Sequence, residues 1–347
     1  MSLTISRHKT SRGEVTIATI TNASGASVVL SNIGAGILAI NVPDADGNLR
    51  DVVLGYDDIE SYFGDGPCMG KTPGRYANRI ARGRFSLEGR EYRLDCNCGP
   101  NHLHGGNGGF HNLIWDAERV NDSSMCFTLR SADGDEGYPG NLHAEATYEW
   151  TDGNELLIGY RATADAPTPV NLTNHTYFNL HGTDRGSGRD HILRLAASRW
   201  IPTDDSLAPT GEMAPVEGTP MDFTSPKRVG RDIDADFEAL RFGKGYDHCW
   251  VFDNPDPHSV AARLESPLSR IAVEISTDQP GAQVYTGNWL TGSPLGKGGR
   301  ELHDYDAVAI ECQGLPDAPN QPNFPDQIVR PGQIYRRTIK FKFIICQ

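Results

Sequence analysis

Apolar and polar residues alternate with a period of two along much of this chain. From Ala144 to Trp150 every second residue is apolar, and the same alternation runs from Leu156 to Ala162 after an Asp-Gly pair. A period of two is typical of a β-strand, whose successive side chains point to opposite faces. Asp-Gly suits the positive φ angles of a tight turn. These residues therefore predict an antiparallel β-hairpin.

Other segments repeat the pattern. Apolar residues alternate at 85–94 around a Glu-Gly pair, at 271–275 and at 339–343, whereas helical candidates are limited to 57–63 and 232–240. The 38 glycines and 22 prolines are spread throughout, and no repeat or linker divides the chain. We expect an all-β protein, a large antiparallel β-sandwich with few short helices, folded as a single domain over residues 1–347.

Composition narrows the class of partner. The net charge of −13 would repel a phosphate backbone, so nucleic acid is not an expected partner. The sequence contains neither an apolar run of membrane-spanning length nor a signal-like N-terminus, which predicts a cytoplasmic protein with no membrane partner. Seven scattered cysteines do not form a disulfide pattern, and we expect reduced thiols, most of them buried. A monomer and a homodimer are both consistent with these features.

Two segments rich in hydrogen-bond donors lie in the first third of the chain. GRYANRIARGRF (residues 74–85) contains Asn78 and Arg79 just before a predicted strand, and NHLHGG (residues 101–106) contains His102 and His104. Amide and guanidinium groups offer several N–H donors to a polar ligand. The two histidines are two residues apart, so on a strand they would face opposite sides and would be poorly placed to bind one metal ion.

Three later segments add further polar groups. VNLTNHTYFNLHG (170–182) places His175 ahead of an aromatic pair that could stack on a sugar ring. GYDHCW and GAQVYTGNWLTG supply Asp247 and Gln283. Each segment alone is also compatible with a purely structural role.

A carboxylate follows a short apolar run near the C-terminus. Glu311 comes directly after residues 307–310, which are all apolar, and precedes a proline-dense loop. We expect Glu311 to emerge from the end of a buried strand. Partial burial would raise the pKa of this carboxyl toward neutrality and suit it to act as a base.

Motifs for cofactors are missing from the sequence. It contains no HExxH, CxxC or EF-hand loop, and no GxGxxG or GxxxxGK[ST] phosphate loop. The GxSxG nucleophile motif is also absent. We therefore expect no metal ion and no cofactor.

In this order, the segments GRYANRI, NHLHGG, NHTYFNL, YDH, YTGNWL and ECQGLPDAPNQPNFP resemble the aldose 1-epimerase family, specifically its galactose mutarotase branch, from about Gly55 to the C-terminus. The resemblance implies a β-supersandwich that interconverts the α and β anomers of free hexoses such as galactose and glucose. It implies His175 as the general acid and Glu311 as the general base. It also implies sugar-hydroxyl contacts from the residues Asn78, Arg79, His104, Asp247 and Gln283.

The implied chemistry needs one base and one acid. A proton leaves the C1 hydroxyl while another reaches the ring oxygen, the ring opens, and it closes on the other face after rotation about C1–C2. We expect Glu311 to be ionised and His175 protonated in the resting form. Two departures from the usual family pattern, KTPGRY at 71–76 and Gly-Leu after the ECQ motif, flank the implied site and bear on sugar preference.

Three other functions compete with this one. A hexose 6-phosphate 1-epimerase would need a basic cluster for the phosphate. A glycosidase would use two carboxylates, such as Asp247 and Glu311, but would leave His175 without a role. A non-catalytic carbohydrate-binding module would keep the aromatic residues without needing an acid–base pair.

Overall fold

The computed structural model describes residues 1–346, and β-strands dominate it. The first half of the chain contains the strands β1 (Ser2–Thr10), β2 (Gly13–Thr21), β3 (Ser27–Ser31), β4 (Gly36–Pro43), β5 (Leu49–Asp51), β6 (Arg79–Ile80), β7 (Arg84–Leu87), β8 (Arg90–Arg93), β9 (His102–Leu103), β10 (Asp116–Asn121), β11 (Ser124–Ser131), β12 (Leu142–Trp150) and β13 (Glu155–Ala164). The second half contains β14 (Thr168–Pro169), β15 (Tyr177–Phe178), β16 (Ile192–Leu195), β17 (Arg199–Ile201), β18 (Ala214–Pro215), β19 (Lys227–Arg228), β20 (Asp247–Val251), β21 (Asp256–Glu265), β22 (Ile271–Thr277), β23 (Gly281–Tyr285), β24 (Val308–Gln313), β25 (Ile328–Val329) and β26 (Tyr335–Ile345).

Helices are few and short, as the sequence predicts. The α-helix α1 spans Glu238–Gly243. Single 3₁₀ turns occur at Ile59–Tyr62, Ala81–Gly83, Phe110–Asn112, Asp135–Gly137, Gly188–Asp190, Val229–Arg231, Lys297–Gly299 and Ala318–Asn320. None of the helices within residues 1–346 is long and apolar enough to cross a membrane.

The strands form three large antiparallel sheets. Their strand orders are β1-β2-β3-β4-β5, β10-β11-β12-β13-β26-β22-β21-β16-β19, and β15-β24-β23-β20-β17-β18. The inward faces of all three sheets share one hydrophobic core. Within this core, Trp150 of the nine-stranded sheet donates its indole N–H to the carbonyl of Ala26 (3.2 Å), and Phe178 of the six-stranded sheet packs edge-on against Phe341 (5.2 Å between ring centroids). The all-β sandwich predicted from the alternation is therefore confirmed.

The long hairpin of β12 and β13 forms as predicted, but its turn differs in detail. Trp150 pairs with Leu156, and the connection runs from Thr151 to Asn154. Asn154, with φ of 56°, adopts the left-handed conformation that we expected at the Asp-Gly pair. Asparagine tolerates positive φ because its short side chain can bond locally. In the β7–β8 hairpin, by contrast, the predicted turn residues Glu88 and Gly89 both have positive φ.

Both helical candidates contain helical residues over shorter or shifted ranges, and two other local expectations were wrong. The segment 57–63 forms one 3₁₀ turn, and only the end of the segment 232–240 enters α1. Glu311 does not leave the end of its strand, because β24 continues to Gln313 and the residue is only 2% exposed. Of the seven cysteines, all free thiols, three are buried rather than most of them: Cys68, Cys249 and Cys312.

Candidate active site

The six-stranded sheet builds one wall of a cavity of about 1110 Å³. Three neighbouring strands, β20, β23 and β24, present Asp247, Gln283 and Glu311 to it. Gln283 lies directly opposite Glu311 in the antiparallel register. Because side chains opposite each other on a sheet have Cβ atoms only about 5 Å apart, the strand pairing alone brings these groups together.

A second wall comes from a much earlier part of the chain. The two-residue strand β6 pairs with β9, so Arg79 lies opposite Leu103, and Asn78 and His104 border this pair. The backbone N–H of Asn78 donates to Nδ1 of His104 (3.1 Å), and the N–H of His104 donates to the carbonyl of Asn78 (3.1 Å). All five sugar-contact residues implied by the sequence line the same cavity: Asn78, Arg79, His104, Asp247 and Gln283.

His175 enters the cavity just before β15. Its backbone is held on both sides, since its N–H donates to the Lys71 carbonyl (2.8 Å) and its carbonyl accepts from Gly70 N–H (3.0 Å). Its imidazole stacks on the ring of Tyr177 (4.8 Å between centroids, 29° between planes). This arrangement leaves Nε2 of His175 3.4 Å from Oε1 of Glu311.

The electrostatics of this pair favour uncharged groups. Burial, with a smaller contribution from the positive charge of Lys71, lowers the pKa of His175 to about 4, although a backbone hydrogen bond and the Asp247 carboxylate act in the opposite direction. Burial also raises the pKa of Glu311 well above its usual range, and the nearby Asp247 carboxylate adds to the rise. Both shifts oppose the ionised Glu311 and protonated His175 expected from the sequence for the resting form. The neutral pair contains the same number of protons and differs only in which side chain holds one of them.

Asp247 is fixed by two donors. Arg79 donates through Nη2 to one carboxylate oxygen (3.2 Å), and Gln283 donates through Nε2 to the other (2.7 Å). With both oxygens engaged, Asp247 orients these donors and is poorly placed to accept a substrate proton. Glu311 differs, because its Oε2 is buried and has no partner among residues 1–346.

Other residues that line the same cavity also contain unpaired polar atoms. Within the described part of the chain, Arg79 Nε, His175 Nδ1 and Gln283 Oε1 are buried without a hydrogen-bond partner. Leaving a buried polar group unpaired costs about 1–3 kcal/mol. Such groups, clustered in the residues around one cavity, indicate a binding site for a polar ligand.

One group of side chains resembles a metal site. His104, His175 and Glu311 each bring a donor atom within 4.8 Å of the other two. However, Nδ1 of His104 accepts the N–H of Asn78, so the proton of the neutral ring sits on Nε2. Ligation through Nε2 would move that proton to Nδ1, where it would face another N–H. Two good ligands remain, fewer than the three protein ligands of a catalytic zinc site.

The structure adds site residues that the sequence reasoning missed. Tyr285 stacks on Trp289 at the cavity mouth (6.2 Å between centroids, 19° between planes), and Trp289 is 48% exposed. Both lie in the segment 281–292, where the Tyr-x-x-x-Trp spacing was the available signal. Of the aromatic pair expected to stack on a sugar, Tyr177 lines the cavity but Phe178 belongs to the core.

The two departures from the family pattern lie behind the cavity wall. The ammonium of Lys71 is completely buried, where it pairs with Asp65 and donates to the Tyr62 carbonyl (2.6 Å). Leu315 packs with Cys249 and Phe324 in a small separate core. Neither Lys71 nor Leu315 is among the described residues that line the cavity, so an effect on sugar preference would have to be indirect.

Comparison with known proteins agrees with this geometry. The family model for aldose 1-epimerase matches residues 16–342. Human galactose mutarotase is 42% identical over 312 residues, covering 90% of this chain and 89% of the human protein. The aldose 1-epimerase of Escherichia coli K12 is 38% identical over 331 residues, covering 94% of this chain and 95% of that protein.

A solved structure gives the same result. An aldose epimerase homologue from C. elegans superposes with a TM-score of 0.88 at 34% identity, covering 95% of this chain and 98% of that one. Fold, cavity and similarity define an isomerase that acts on carbohydrates. The chain belongs to the aldose 1-epimerase family.

Proposed function

We propose that this enzyme interconverts the α and β anomers of free aldoses such as galactose and glucose, with Glu311 as general base and His175 as general acid. The observation that carries the assignment is the 3.4 Å approach of His175 Nε2 to Glu311 Oε1 inside a cavity lined by hydroxyl-binding groups. The two atoms that exchange protons in the sugar, O1 and the ring oxygen, are both bonded to C1. A base and an acid side by side therefore match the distance between them.

In the forward step, Glu311 accepts the proton of the C1 hydroxyl while His175 gives one to the ring oxygen. The C1–ring-oxygen bond breaks and a C1 carbonyl forms, leaving Glu311 protonated and His175 neutral. This product form is the neutral pair that burial favours. After rotation about C1–C2, the two residues exchange roles and close the ring on the other face. A positioned pair of this kind contributes roughly 10² to 10⁴ per group to the rate.

The remaining site residues orient the sugar in this proposal. Arg79, Asp247 and Gln283 form one hydrogen-bonded unit that would hold hydroxyls away from C1. His104, with its proton on Nε2, and Asn78, whose Oδ1 is engaged by Arg79 N–H (2.7 Å), each offer an N–H donor. Fixing the rest of the ring while C1 reacts is the orientation part of catalysis.

The alternative functions fit the cavity less well. A sugar phosphate would meet four carboxylates in the described lining, whose one arginine already pairs with Asp247. A glycosidase would need Asp247 as its second catalytic carboxylate, yet both Asp247 oxygens are engaged. A binding module would have no use for a buried His–Glu pair, whose desolvation is unfavourable unless the pair serves a reaction.

The proposal takes residues 1–347 as one domain, because all three large sheets contribute to one core; Gln347 lies outside the described residues. A monomer and a homodimer both suit it, since both catalytic side chains come from one chain. The cytoplasmic location stays a prediction.

Polarimetry of freshly dissolved α-galactose tests the reaction directly. Enzyme should speed the approach to anomeric equilibrium while leaving the final rotation unchanged. Parallel assays with a hexose 6-phosphate and a nitrophenyl glycoside should show little acceleration. Activity on either of these substrates, with none on galactose, would contradict the proposed function.

A further inference from the structure

The proline-dense segment 314–325 contacts β6, the strand that contains Arg79, but has no assigned role. It follows β24, the strand of Glu311, and contains the acidic residue Asp317, which is only 1% exposed. Asp317 has a φ of 58°, in the left-handed region where few residues other than glycine are found. Such a conformation is unfavourable for a residue with a side chain and persists only where surrounding contacts hold it.

Those contacts are hydrogen bonds to the backbone of β6 and its flank. The N–H of Asp317 donates to the carbonyl of Arg79 (2.9 Å), and Oδ1 of Asp317 accepts the N–H of Ala81 (2.9 Å). A neighbouring β-strand would supply the same alternation of one donor and one acceptor. Asp317 therefore replaces a strand at this edge, with its side chain providing the oxygen that a backbone carbonyl would otherwise provide.

The strand β6 needs this support because it is only two residues long. On its other edge it pairs with β9, through Arg79 opposite Leu103 and Ile80 opposite His102. A two-residue ladder fixes few dihedral angles, so one edge alone leaves the direction of the Arg79 side chain loosely defined. Tyr76 strengthens the contact with the segment 314–325, since its hydroxyl donates to the Leu315 carbonyl (3.0 Å) and accepts the Ala318 N–H (3.1 Å).

The carboxylate of Asp317 accepts further hydrogen bonds from its own segment. Besides Ala81 N–H, it accepts from the side-chain amides of Asn320 (2.6 Å) and Gln321 (3.0 Å). Burial raises its pKa, so the protein keeps the group desolvated in spite of the unfavourable energy of burying its charge. Asp317 is not among the described residues lining the cavity, and direct contact with the sugar is therefore not its role.

We propose that Asp317 is a positioning residue that braces the Arg79–Ala81 backbone and so aims the Arg79 guanidinium at Asp247 and the sugar. This inference rests on the proposed sugar-binding role of Arg79. The proposed base Glu311 and Asp317 lie on one chain segment, six residues apart.

A double-mutant cycle tests the coupling. Asp317→Ala should raise the KM for galactose roughly tenfold, the effect of one lost charge-assisted hydrogen bond, with kcat changed less than about threefold because His175 and Glu311 stay in place. Arg79→Ala should also raise KM. The KM of the double variant should match that of Arg79→Ala within about twofold, because Asp317 is proposed to act on the sugar only through the Arg79 side chain. Asp317→Asn, which keeps an oxygen acceptor for Ala81 N–H, should restore part of the affinity.

Asp326→Ala is the matched control. Asp326 lies in the loop that follows, is exposed, and accepts a backbone N–H from Ile328 (2.9 Å) without touching β6. The KM of the Asp326→Ala variant for galactose should equal that of the wild type. Thermal unfolding of every variant, together with the Asp317→Asn result, separates loss of positioning from loss of the fold.

Several results would overturn the inference. One is that Asp317→Ala and Arg79→Ala each raise KM by a factor that multiplies with the other in the double variant. Another is that Asp317→Ala lowers kcat and leaves KM unchanged. If Arg79→Ala alone leaves KM unchanged, the proposed sugar contact of Arg79 fails, and the inference fails with it. If Arg79→Ala raises KM but the cycle shows no coupling, only the positioning role of Asp317 fails.

Discussion

Replacing Glu311 by glutamine separates its proposed chemical role from its role in shaping the cavity. Glutamine keeps the size of the side chain and one oxygen acceptor, but the amide does not take up a proton at neutral pH. The other three carboxylates of the described lining are poorly suited to replace the base: both oxygens of Asp247 are engaged by Arg79 and Gln283, Asp65 pairs with the buried Lys71, and Asp205 is exposed at the rim. We therefore expect the full loss for a missing general base, roughly 10² to 10⁴ in kcat, or about 2.7 to 5.5 kcal/mol of transition-state stabilisation.

The same substitution should leave sugar affinity and folding intact. KM should change little, since the hydroxyl-binding groups are untouched. The free energy of unfolding at neutral pH should rise, because the raised pKa of Glu311 means that the folded state binds this proton more tightly than the unfolded chain. The wild type thus loses stability as the pH rises from the unfolded value of about 4.3 through the folded value, and glutamine escapes this loss. Below that window, wild type and variant should be equally stable.

Polarimetry of α-galactose gives the rate, fluorescence titration gives the affinity, and thermal unfolding at two pH values gives the stability. Asp205→Asn, which removes an exposed carboxylate at the cavity rim, controls for the loss of negative charge. If Glu311→Gln keeps more than about a tenth of the wild-type rate, far above the expected residual activity, Glu311 is not the base. A loss of stability at neutral pH would refute the electrostatic reasoning.

Three further predictions concern pH and metal ions. The rate against pH should be bell-shaped: the acid limb should lie near pH 4, set by His175, and the alkaline limb should lie above the usual carboxyl range, set by Glu311; a rate that stays constant as the pH falls through 4, or an alkaline limb inside the usual carboxyl range, would contradict this. The free energy of unfolding should fall as pH drops from about 6.5 toward 4, by roughly 1.4 kcal/mol per pH unit for each histidine that is held neutral in the fold, and chemical denaturation at several pH values would measure the slope. Activity should survive prolonged dialysis against EDTA, whereas a loss restored by zinc would show that a metal is required. The histidines concerned in the unfolding prediction, whose pKa values burial lowers, are His102, His104, His111, His175, His181, His191 and His248.

The sequence by itself determined the class of fold and the composition of the site. Alternation at 144–150 and 156–162 predicts strands because a strand is a local structure with its own period. The ordered motifs identify the family, and through it the seven predicted site residues, all of which line one cavity. The roles of His175 and Glu311 remain predictions until their variants are assayed.

Only the tertiary structure decided how these residues act on one another. Glu311 and His175 are 136 positions apart in sequence, and no local pattern reveals that Nε2 and Oε1 approach within 3.4 Å or that burial favours the neutral pair. Burial depends on segments that fold over the sheet from elsewhere in the chain, so the sequence overestimated the exposure of Glu311. The hydrogen bond from the Asp317 N–H to the Arg79 carbonyl of β6 joins positions more than 200 residues apart. Such contacts arise from the packing of whole sheets, whereas sequence periodicity reports only the immediate neighbours of each residue.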